Sequence, residues 1–381
     1  TIAKEKPADI EKLYEGLSSA TGRINEDLMY RHWDEWVDAI PHIYLADFNN
    51  SKIEKGIDIL EGEPFECPMR PWGGLEQVAF SPDGKTIAYT CRKKVGKEYA
   101  LSTNSDIYLY NIADKTVQNI SQGIMGYDQN PVFSNNGKYI VWESMEHDGY
   151  ESDKQRIMLY DLESGERKDL TANLDQTCYS YTWSDDDSKI YFISPFMGTR
   201  EIFVYNFADQ SFKQVTKDLH DINAYEIKGD KIYAQEVSMS RPAEIFVYDI
   251  NGEKAQGQQI SAINTDVLSK VNMGKVEERW IKTTNGEDML VWVVYPYNFD
   301  STKTYPALLF CQGGPQDMVS QFWSTRWNFQ IMSGAGYFVI APNRHGVPGF
   351  GTKWNEQISG DYGGQNMKDY MQSYDIIAKQ H

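Results

Sequence analysis

The stretch from Leu308 to Gln316 reads LLFCQGGPQ and joins an apolar run to a loop rich in glycine. The apolar residues predict a buried strand, and the Gly-Gly-Pro segment predicts a loop that follows the strand directly. Glycines leave the backbone N–H groups of such a loop uncovered, so that they can donate hydrogen bonds to a ligand. Donors fixed in this way stabilise the negative charge that a carbonyl oxygen gains during acyl transfer. The loop is therefore a candidate for one half of an oxyanion hole.

The cysteines do not suggest a metal site. Cys67, Cys91, Cys178 and Cys311 include no Cys-x-x-Cys pair, and none lies near two histidines at the spacing of zinc ligands. We therefore expect neither a metal nor a cofactor. Four buried thiols are the simplest interpretation, and a disulfide between Cys67 and Cys91 is the alternative.

The composition is that of an acidic globular protein rich in aromatic residues. The 381 residues include 37 basic and 55 acidic side chains, for a formal net charge of −18. The length favours two domains, and the 25 Tyr and 10 Trp residues favour β-structure. Acidity without a basic cluster argues against nucleic acid or anionic lipid as a partner. No apolar run reaches the roughly 18 residues of a membrane helix, so we expect no membrane span.

Two short phrases recur in a fixed order through the first two thirds of the chain. The first begins at Phe80 as FSPDGKTIAY and returns at Phe133 as FSNNGKYIVW, with weaker copies further on. The second is a short strand ending in Tyr-Asn or Tyr-Asp, and its copies are separated by 50, 45 and 43 residues. A period of about 40 to 50 residues with four short strands predicts the blades of a β-propeller. We expect an incomplete propeller of four to five visible blades, the fifth near Ile43, with further strands before Thr1.

Residues 25–40 predict a helix inserted into the propeller. Apolar residues recur there at helical spacing, and Asn25 is suited to cap the first turn. The predicted helix carries two adjacent acids, Asp34 and Glu35. They are either solvated surface residues or point into the propeller cavity and hold a cation.

The pattern changes after residue 274, where we place a boundary between a propeller domain (1–274) and a second domain (275–381). A hairpin with its turn at Asn285-Gly286 precedes the strand of the opening stretch. A helical segment near 322–332, a buried strand at 337–342 and a helix at 365–380 follow. This order is that of the first part of an α/β-hydrolase sheet. The predicted fold is therefore a β-propeller followed by the N-terminal part of an α/β-hydrolase domain.

These motifs together resemble the prolyl oligopeptidase family of serine peptidases, and within it the dipeptidyl-peptidase and acylaminoacyl-peptidase branches. The resemblance covers nearly the whole chain and rests on RHWDEW from residue 31, CQGGPQ from 311, NRHGVPGFG from 343 and ISGDYGGQN from 358. The family nucleophile lies in Gly-x-Ser-x-Gly, followed by Asp and His. That motif is absent from the 381 residues, so the resemblance implies a fragment, inactive alone, whose triad follows His381. His345 comes too early in this order to be the catalytic base.

The resemblance also implies roles for five residues. Gln312 and Gly313 match the position of the second oxyanion donor, which is either the Gln312 side-chain amide or a backbone N–H. The alternative is that the glycines only allow close backbone approach. Arg344 is expected either to bind a substrate carbonyl or to pair with an Asp and brace the domain. Asp34 and Glu35, by analogy with related dipeptidyl peptidases, are expected to bind the free α-amino group of a peptide.

The function implied by the resemblance is that of a serine exopeptidase that releases dipeptides from the N-terminus of peptide substrates. The resemblance further implies a periplasmic or secreted bacterial enzyme and allows a homodimer through the hydrolase domain of the full-length protein. An acylaminoacyl peptidase and a non-catalytic propeller binding module are the alternative functions.

Overall fold

The chain forms two compact units in a computed structural model that describes residues 2–3, 10–49, 51–250, 256–314 and 316–380. The first unit comprises residues 1–150 and 156–171, and the second comprises residues 151–155 and 172–381. Each unit contains its own clusters of buried apolar residues.

The first unit contains short paired strands followed by two four-stranded antiparallel sheets. Its elements are β1 (Ile2–Ala3), α1 (Ile10–Leu13), β2 (Arg31–His32), β3 (Glu35–Trp36), β4 (Ala39–Ile40), β5 (Tyr44–Leu45), β6 (Phe48–Asn49), β7 (Lys52–Ile53), β8 (Ile57–Asp58), a 3₁₀ helix (Leu75–Gln77), β9 (Val78–Phe80), β10 (Thr86–Cys91), α2 (Gly96–Leu101), β11 (Asp106–Asn111), β12 (Val117–Asn119), β13 (Asp128–Phe133), β14 (Tyr139–Ser144), β15 (Arg156–Asp161) and β16 (Arg167–Asp169). Strands β9 to β12 form one sheet and β13 to β16 the other, each in sequential order.

The second unit contains an eight-stranded sheet formed by β17 to β24 and a separate four-stranded mixed sheet. Its elements are β17 (Tyr179–Trp183), β18 (Lys189–Phe196), β19 (Thr199–Asn206), β20 (Ser211–Gln214), β21 (Asp221–Lys228), β22 (Lys231–Ser238), β23 (Arg241–Asp249), β24 (Gln258–Gln259), α3 (Thr265–Leu268), β25 (Val276–Lys282), β26 (Asp288–Val294), β27 (Ala307–Leu309), α4 (Phe329–Gly334), β28 (Phe338–Pro342), α5 (Thr352–Glu356) and α6 (Gln365–Ala378). One parallel bridge between Arg200 and Asp221 joins β17–β20 to β21–β24.

The tight turn of the first repeated phrase explains why the sheets contain hairpins at the predicted places. In the first copy the Ser81 hydroxyl donates to Asp83, and the N–H of Gly84 donates to the Ser81 carbonyl. Gly84 and Gly137 both have φ of 70°, and Asp187 takes the same left-handed conformation at φ 56° in the third copy. The four repeats therefore fall in the sheet β9–β12, the sheet β13–β16 and the eight-stranded sheet β17–β24. The predicted fifth repeat, near Ile43, corresponds among the described residues to the short pair β5–β8.

The predicted helix over residues 25–40 is wrong, because these residues form an antiparallel hairpin of β2 and β3 instead. Trp33 lies at its turn in the left-handed conformation, with φ of 51°. The hairpin buries His32, whose Nε2 lies 2.8 Å from a carboxylate oxygen of the buried Glu66. A contact with a residue so distant in sequence outweighs the local helical spacing of the aromatic side chains.

The mixed sheet has the order β25-β26-β28-β27, with β27 and β28 parallel and the other neighbours antiparallel. Nearly all of β26 and all of β28 are buried, and α6 contacts β27 and β28. Asn328 caps α4 by accepting from the N–H groups of Gln330 and Ile331. The helix predicted near 322–332 therefore begins only at Phe329.

The predicted domain boundary at residue 274 lies just before β25, where the mixed sheet begins. The compact units, however, divide at residues 171 and 172, so that β17–β24 and the mixed sheet share one unit. The division into a 1–274 domain and a 275–381 domain stays a prediction.

Candidate active site

The glycine loop begins where β27 leaves the mixed sheet at its carboxyl end. The strand stops at Leu309, and the loop then runs through Gln312, Gly313 and Gly314, while Pro315 lies outside the described residues. The loop lines a cavity of about 680 Å³, a size suited to a small ligand or a short peptide segment. The other residues that line this cavity are Leu308, Leu309, Phe310, Cys311, Asp317, Trp327, Met332 and Val339.

The side-chain amide and the backbone carbonyl of Gln312 both form hydrogen bonds within the second unit. The side-chain Nε2 donates to Asp317 Oδ2 over 3.0 Å. The backbone carbonyl accepts from the Tyr370 hydroxyl over 2.9 Å and from Arg344 Nη2 over 3.4 Å. Of the two predicted donors, the side-chain amide of Gln312 is thus engaged elsewhere in this structure.

The two glycines of the loop differ in whether the backbone leaves room for a side chain. A Cβ added to Gly313 would have no neighbour within 4 Å, and its φ lies outside the left-handed region. Gly314 has φ of 140°, which L-residues rarely adopt, and a Cβ there would crowd the backbone nitrogens of Gln316 and Asp317. Close backbone approach therefore explains Gly314 but not Gly313.

Arg344 is buried beside the loop and not exposed at the cavity surface. Only 2% of its surface is accessible, and its guanidinium donates to the Tyr370 hydroxyl, the His345 carbonyl and the Gln312 carbonyl. These partners are backbone oxygens and a phenol, and they tie the loop to the end of β28 and to α6. The predicted substrate contact of Arg344 and its predicted ion pair with an Asp stay predictions.

His345, which the family order excludes as the base, lies in a buried network of charged groups. Its Nδ1 is 2.6 Å from Asp369 Oδ2, its Nε2 is 2.8 Å from Glu287 Oε2, and its ring stacks on Trp354 at 3.7 Å. Burial lowers the pKa of the imidazole, but the hydrogen bonds to Asp369 and Glu287 raise it above its ordinary value. The hydrogen bond to His345 in turn lowers the pKa of Glu287 to about 2. With both ring nitrogens bonded to carboxylates, the imidazole serves to hold three elements together.

The segment that follows the loop is anchored to strands β19 and β21 of the same unit. Asp317 lies 3.4 Å from the guanidinium of Arg200. The buried carboxylate of Asp221 accepts from the Ser320 hydroxyl over 2.5 Å and from the Gln321 N–H over 3.1 Å. Burial raises the pKa of Asp221 to about 6, against the opposing effect of Arg200.

Asp34 and Glu35 lie in the first unit, at the hairpin of β2 and β3. Both are exposed, and Glu35 pairs in the ladder with the buried His32. Beside them the rings of Trp33 and Trp72 lie 5.9 Å apart, and both are largely exposed. The predicted amine site therefore consists of accessible carboxylates next to an exposed aromatic pair.

Cys67, Cys91 and Cys178 are buried reduced thiols, and Cys311 is an exposed reduced thiol. The disulfide alternative for Cys67 and Cys91 is therefore not observed, and the expectation of four buried thiols holds for three. Among the described residues, no group of three or more His, Cys, Asp and Glu side chains is arranged to hold a metal ion. Within the same ranges, no helix has the length and apolarity needed to cross a membrane.

Sequence reasoning missed Tyr370, Asp369, Glu287 and Asp221, which organise the loop and its surroundings. The position of Tyr370 on the inner face of α6 was visible in the helical period, but its hydroxyl partner was not. Glu287 follows the predicted Asn285-Gly286 turn, and only the fold brings it to His345.

Known proteins resemble this chain both in part and over nearly its full length. Residues 323–381 match the model of the prolyl oligopeptidase family. Two proteins named dipeptidyl-peptidase 5, from Porphyromonas gingivalis and Porphyromonas endodontalis, are 48% and 46% identical over 97% and 99% of this chain. The chain therefore resembles the prolyl oligopeptidase family in residues 323–381 and these two proteins over nearly its full length. It covers 54% and 53% of those two proteins, and so spans about half the length of the curated relatives it matches.

Solved structures of two peptidases have a fold similar to that of this chain. The acylaminoacyl peptidase of Pyrococcus horikoshii superimposes with a TM-score of 0.74 at 16% identity, over 93% of this chain and 52% of that chain. Dipeptidyl peptidase 4 of Porphyromonas gingivalis superimposes with a TM-score of 0.57 at 14% identity, over 86% of this chain and 58% of that one. At these identities the likeness shows the fold alone.

Proposed function

We propose that the protein containing this chain is a serine exopeptidase that releases dipeptides from the N-terminus of oligopeptides through an acyl-enzyme. The observation that carries the proposal is the fixed peptide between Gln312 and Gly313 at the wall of a cavity. The two Porphyromonas relatives named dipeptidyl-peptidase 5 support the dipeptide as the released unit.

The Gly313 N–H is the group that we assign to the developing oxyanion. The amide of Gln312 is bonded to Asp317, whereas Gly313 lines the cavity and carries no side chain that would cover its N–H. One such donor contributes about 2.7 to 4 kcal/mol to stabilising the transition state of acyl transfer. The serine, aspartate and histidine of the triad would lie in the rest of the longer protein, because these 381 residues contain no Gly-x-Ser-x-Gly.

Asp34 and Glu35 are the residues that we assign to the free α-amino group of the substrate. Both are exposed carboxylates, and a carboxylate binds an ammonium group through charge-assisted hydrogen bonds. A peptidase acting on blocked N-termini has no use for such a pair. These acids therefore distinguish the dipeptidyl-peptidase function from the acylaminoacyl-peptidase function.

Three wider features belong to the same proposal. The strands β9 to β24 would form blades of a β-propeller, as the repeated phrases support. A periplasmic or secreted location and a homodimer through the hydrolase domain rest on the family resemblance. Cell fractionation and light scattering of the full-length protein test the location and the homodimer.

The experiment compares free and N-acetylated peptide p-nitroanilides as substrates of the full-length protein. The double variant Asp34→Asn with Glu35→Gln should raise KM for the free-amine substrate by about 10-fold or more, because charge-assisted hydrogen bonds contribute about 1.5–3 kcal/mol. Glu61→Gln, an exposed acid of the same unit, is the matched control and should change nothing. Faster cleavage of the acetylated substrate would support the acylaminoacyl peptidase instead, and no cleavage of either would support a binding module.

A further inference from the structure

We infer that Tyr370 and Arg344 are positioning residues that set the orientation of the peptide between Gln312 and Gly313. Both groups donate to the Gln312 carbonyl, the hydroxyl over 2.9 Å and the guanidinium over 3.4 Å. The inference rests on the proposed function, since it concerns the direction in which the oxyanion donor, the Gly313 N–H, points. It assigns to these two side chains a role that they perform through the Gln312 carbonyl.

The geometry of the peptide bond connects these two contacts to the donor. In a trans peptide the C=O and the following N–H point in opposite directions within one plane. With the Gln312 carbonyl directed at Arg344 and Tyr370, the Gly313 N–H must leave from the opposite edge of that plane. Gly313 lies in the wall of the cavity, where a substrate carbonyl would sit. Rotation of this peptide would replace the donor by an acceptor and would oppose the oxyanion.

The hydrogen bonds between the two positioning residues have a fixed direction. A guanidinium can only donate, so Arg344 Nε donates to the Tyr370 oxygen over 3.2 Å. The proton of the Tyr370 hydroxyl is then available for the Gln312 carbonyl. Hydrogen bonds joined in this way polarise one another, so the chain strengthens the contact that fixes the peptide.

Neighbouring residues hold this pair rigidly. Arg344 is 2% exposed and Tyr370 is 6% exposed. The next residue after Arg344 is His345 and the one before Tyr370 is Asp369, and these two form the 2.6 Å contact between Nδ1 and Oδ2. Two adjacent cross-links therefore join the segment after β28 to α6, and the one formed by Arg344 and Tyr370 also reaches the loop. A network of this kind fixes a donor without covering it.

The first test is Tyr370→Phe in the full-length protein, with Tyr374→Phe as the matched control. Tyr374 lies on the same helix, half-buried against the core. Tyr370→Phe should lower kcat on a dipeptidyl substrate by roughly 10- to 100-fold, part of the 10²–10³ loss seen when an oxyanion donor is removed. KM should stay within about 2-fold, because the contact matters most when charge develops on the oxygen. The control should keep both constants.

A second measurement separates positioning from simple support of the fold. A dipeptidyl aldehyde forms a tetrahedral adduct whose oxygen occupies the oxyanion hole, so its affinity should fall by the same factor as kcat. An aminoacyl pyrrolidide, which occupies the same subsites but has no carbonyl at the scissile position, should bind Tyr370→Phe and the unaltered protein equally well. Arg344→Lys keeps the positive charge but loses the planar guanidinium. It should likewise lower the aldehyde affinity and leave the affinity for the pyrrolidide unchanged. The double variant should lose little more than either single one, since both act on one peptide.

The outcomes of this test can be told apart from failure of the proposed function. If the unaltered protein cleaves no peptide substrate, the proposed function fails. If it cleaves dipeptidyl substrates and Tyr370→Phe retains its kcat, the positioning role alone is overturned. An equal loss of aldehyde and pyrrolidide affinity in Tyr370→Phe would also overturn it, because that pattern indicates a general disturbance of the site.

Discussion

A buried imidazole in the second unit provides a strong test of how its sheets are held together. His220 is 2% exposed and lies directly before β21. Its Nε2 is 3.0 Å from Glu201 Oε2 on β19, and its Nδ1 is 3.3 Å from Glu236 Oε2 on β22. Both carboxylates are buried as well, so the replacement His220→Gln would leave two buried acids without their shared cation.

The expected loss follows from the pKa of this histidine. Burial lowers the pKa, but hydrogen bonds and charge attraction from Glu201 and Glu236 outweigh it and raise the pKa from 6.5 to about 10. Each pKa unit corresponds to 1.36 kcal/mol, so this rise of the pKa corresponds to about 5 kcal/mol of stabilisation of the folded state. Breaking a buried ion pair generally costs about 3–5 kcal/mol. We therefore expect His220→Gln to lower the free energy of unfolding by about 3–5 kcal/mol at pH 6.

The raised pKa of His220 also predicts how the stability difference between the two proteins changes with pH. A histidine whose folded pKa is raised contributes stability that is complete below its unfolded pKa of 6.5 and is lost as the pH rises through about 10. Other groups contact the carboxylates of this cluster as well: the Thr216 hydroxyl donates to Glu201, and Arg241 and Tyr248 both donate to Glu236. The difference between the two proteins should thus be largest at pH 6 and should shrink steadily towards pH 10.

The assay is urea unfolding followed by circular dichroism at pH 6, 7.5, 9 and 10. His147→Gln, at an exposed histidine, is the matched control and should stay within about 0.5 kcal/mol of the unaltered protein. A loss below 1 kcal/mol for His220→Gln at pH 6 would refute the reasoning. So would a stability difference that does not change between pH 6 and pH 10.

Two further predictions concern the second unit. The folded pKa of Asp221 is raised from 3.8 to about 6 by burial, so its contribution to stability is present at low pH and is lost as the pH rises through this window. Asp221→Asn should therefore gain up to about 3 kcal/mol relative to the unaltered protein between pH 4 and pH 7, measured by urea unfolding; an unchanged difference would contradict this. A Cβ on Gly274 would overlap the Tyr295 carbonyl, so Gly274→Ala should lower the unfolding free energy by about 3 kcal/mol or more. Gly334→Ala, with open space around it, should be neutral or slightly stabilising, and equal melting temperatures for the two variants would contradict the steric argument.

Features with a local cause could be predicted from the sequence. The turn beginning at Ser81 needs a left-handed residue three positions on, and its copies at Gly137 and Asp187 follow the same local rule. The strands of the mixed sheet and α6 were likewise visible as apolar runs and as a helical period. The glycine loop lies after β27, where the pattern placed it.

Features that depend on distant partners could not be predicted. The spacing of aromatic residues over 25–40 fits a helix, and only the contact of His32 with Glu66 explains the hairpin. The contact of His345 with Glu287 joins residues 58 positions apart and needs the sheet to bring them together. For Arg344, residue type and place suggested a role at the site surface, but burial assigned its donors to Tyr370 and backbone carbonyls.

Because each compact unit contains a buried thiol, the local opening of each unit can be measured separately. Cys67 and Cys91 are completely buried in the first unit, and Cys178 is completely buried in the second. Thiols react as accessible thiolates, and burial raises the pKa of Cys91 to about 12, so alkylation must wait for local opening. Exposed Cys311 reacts without such opening and supplies an internal reference. Mass spectrometric mapping of alkylation rates would therefore yield an opening free energy for each half of the molecule, under native conditions and without any introduced probe.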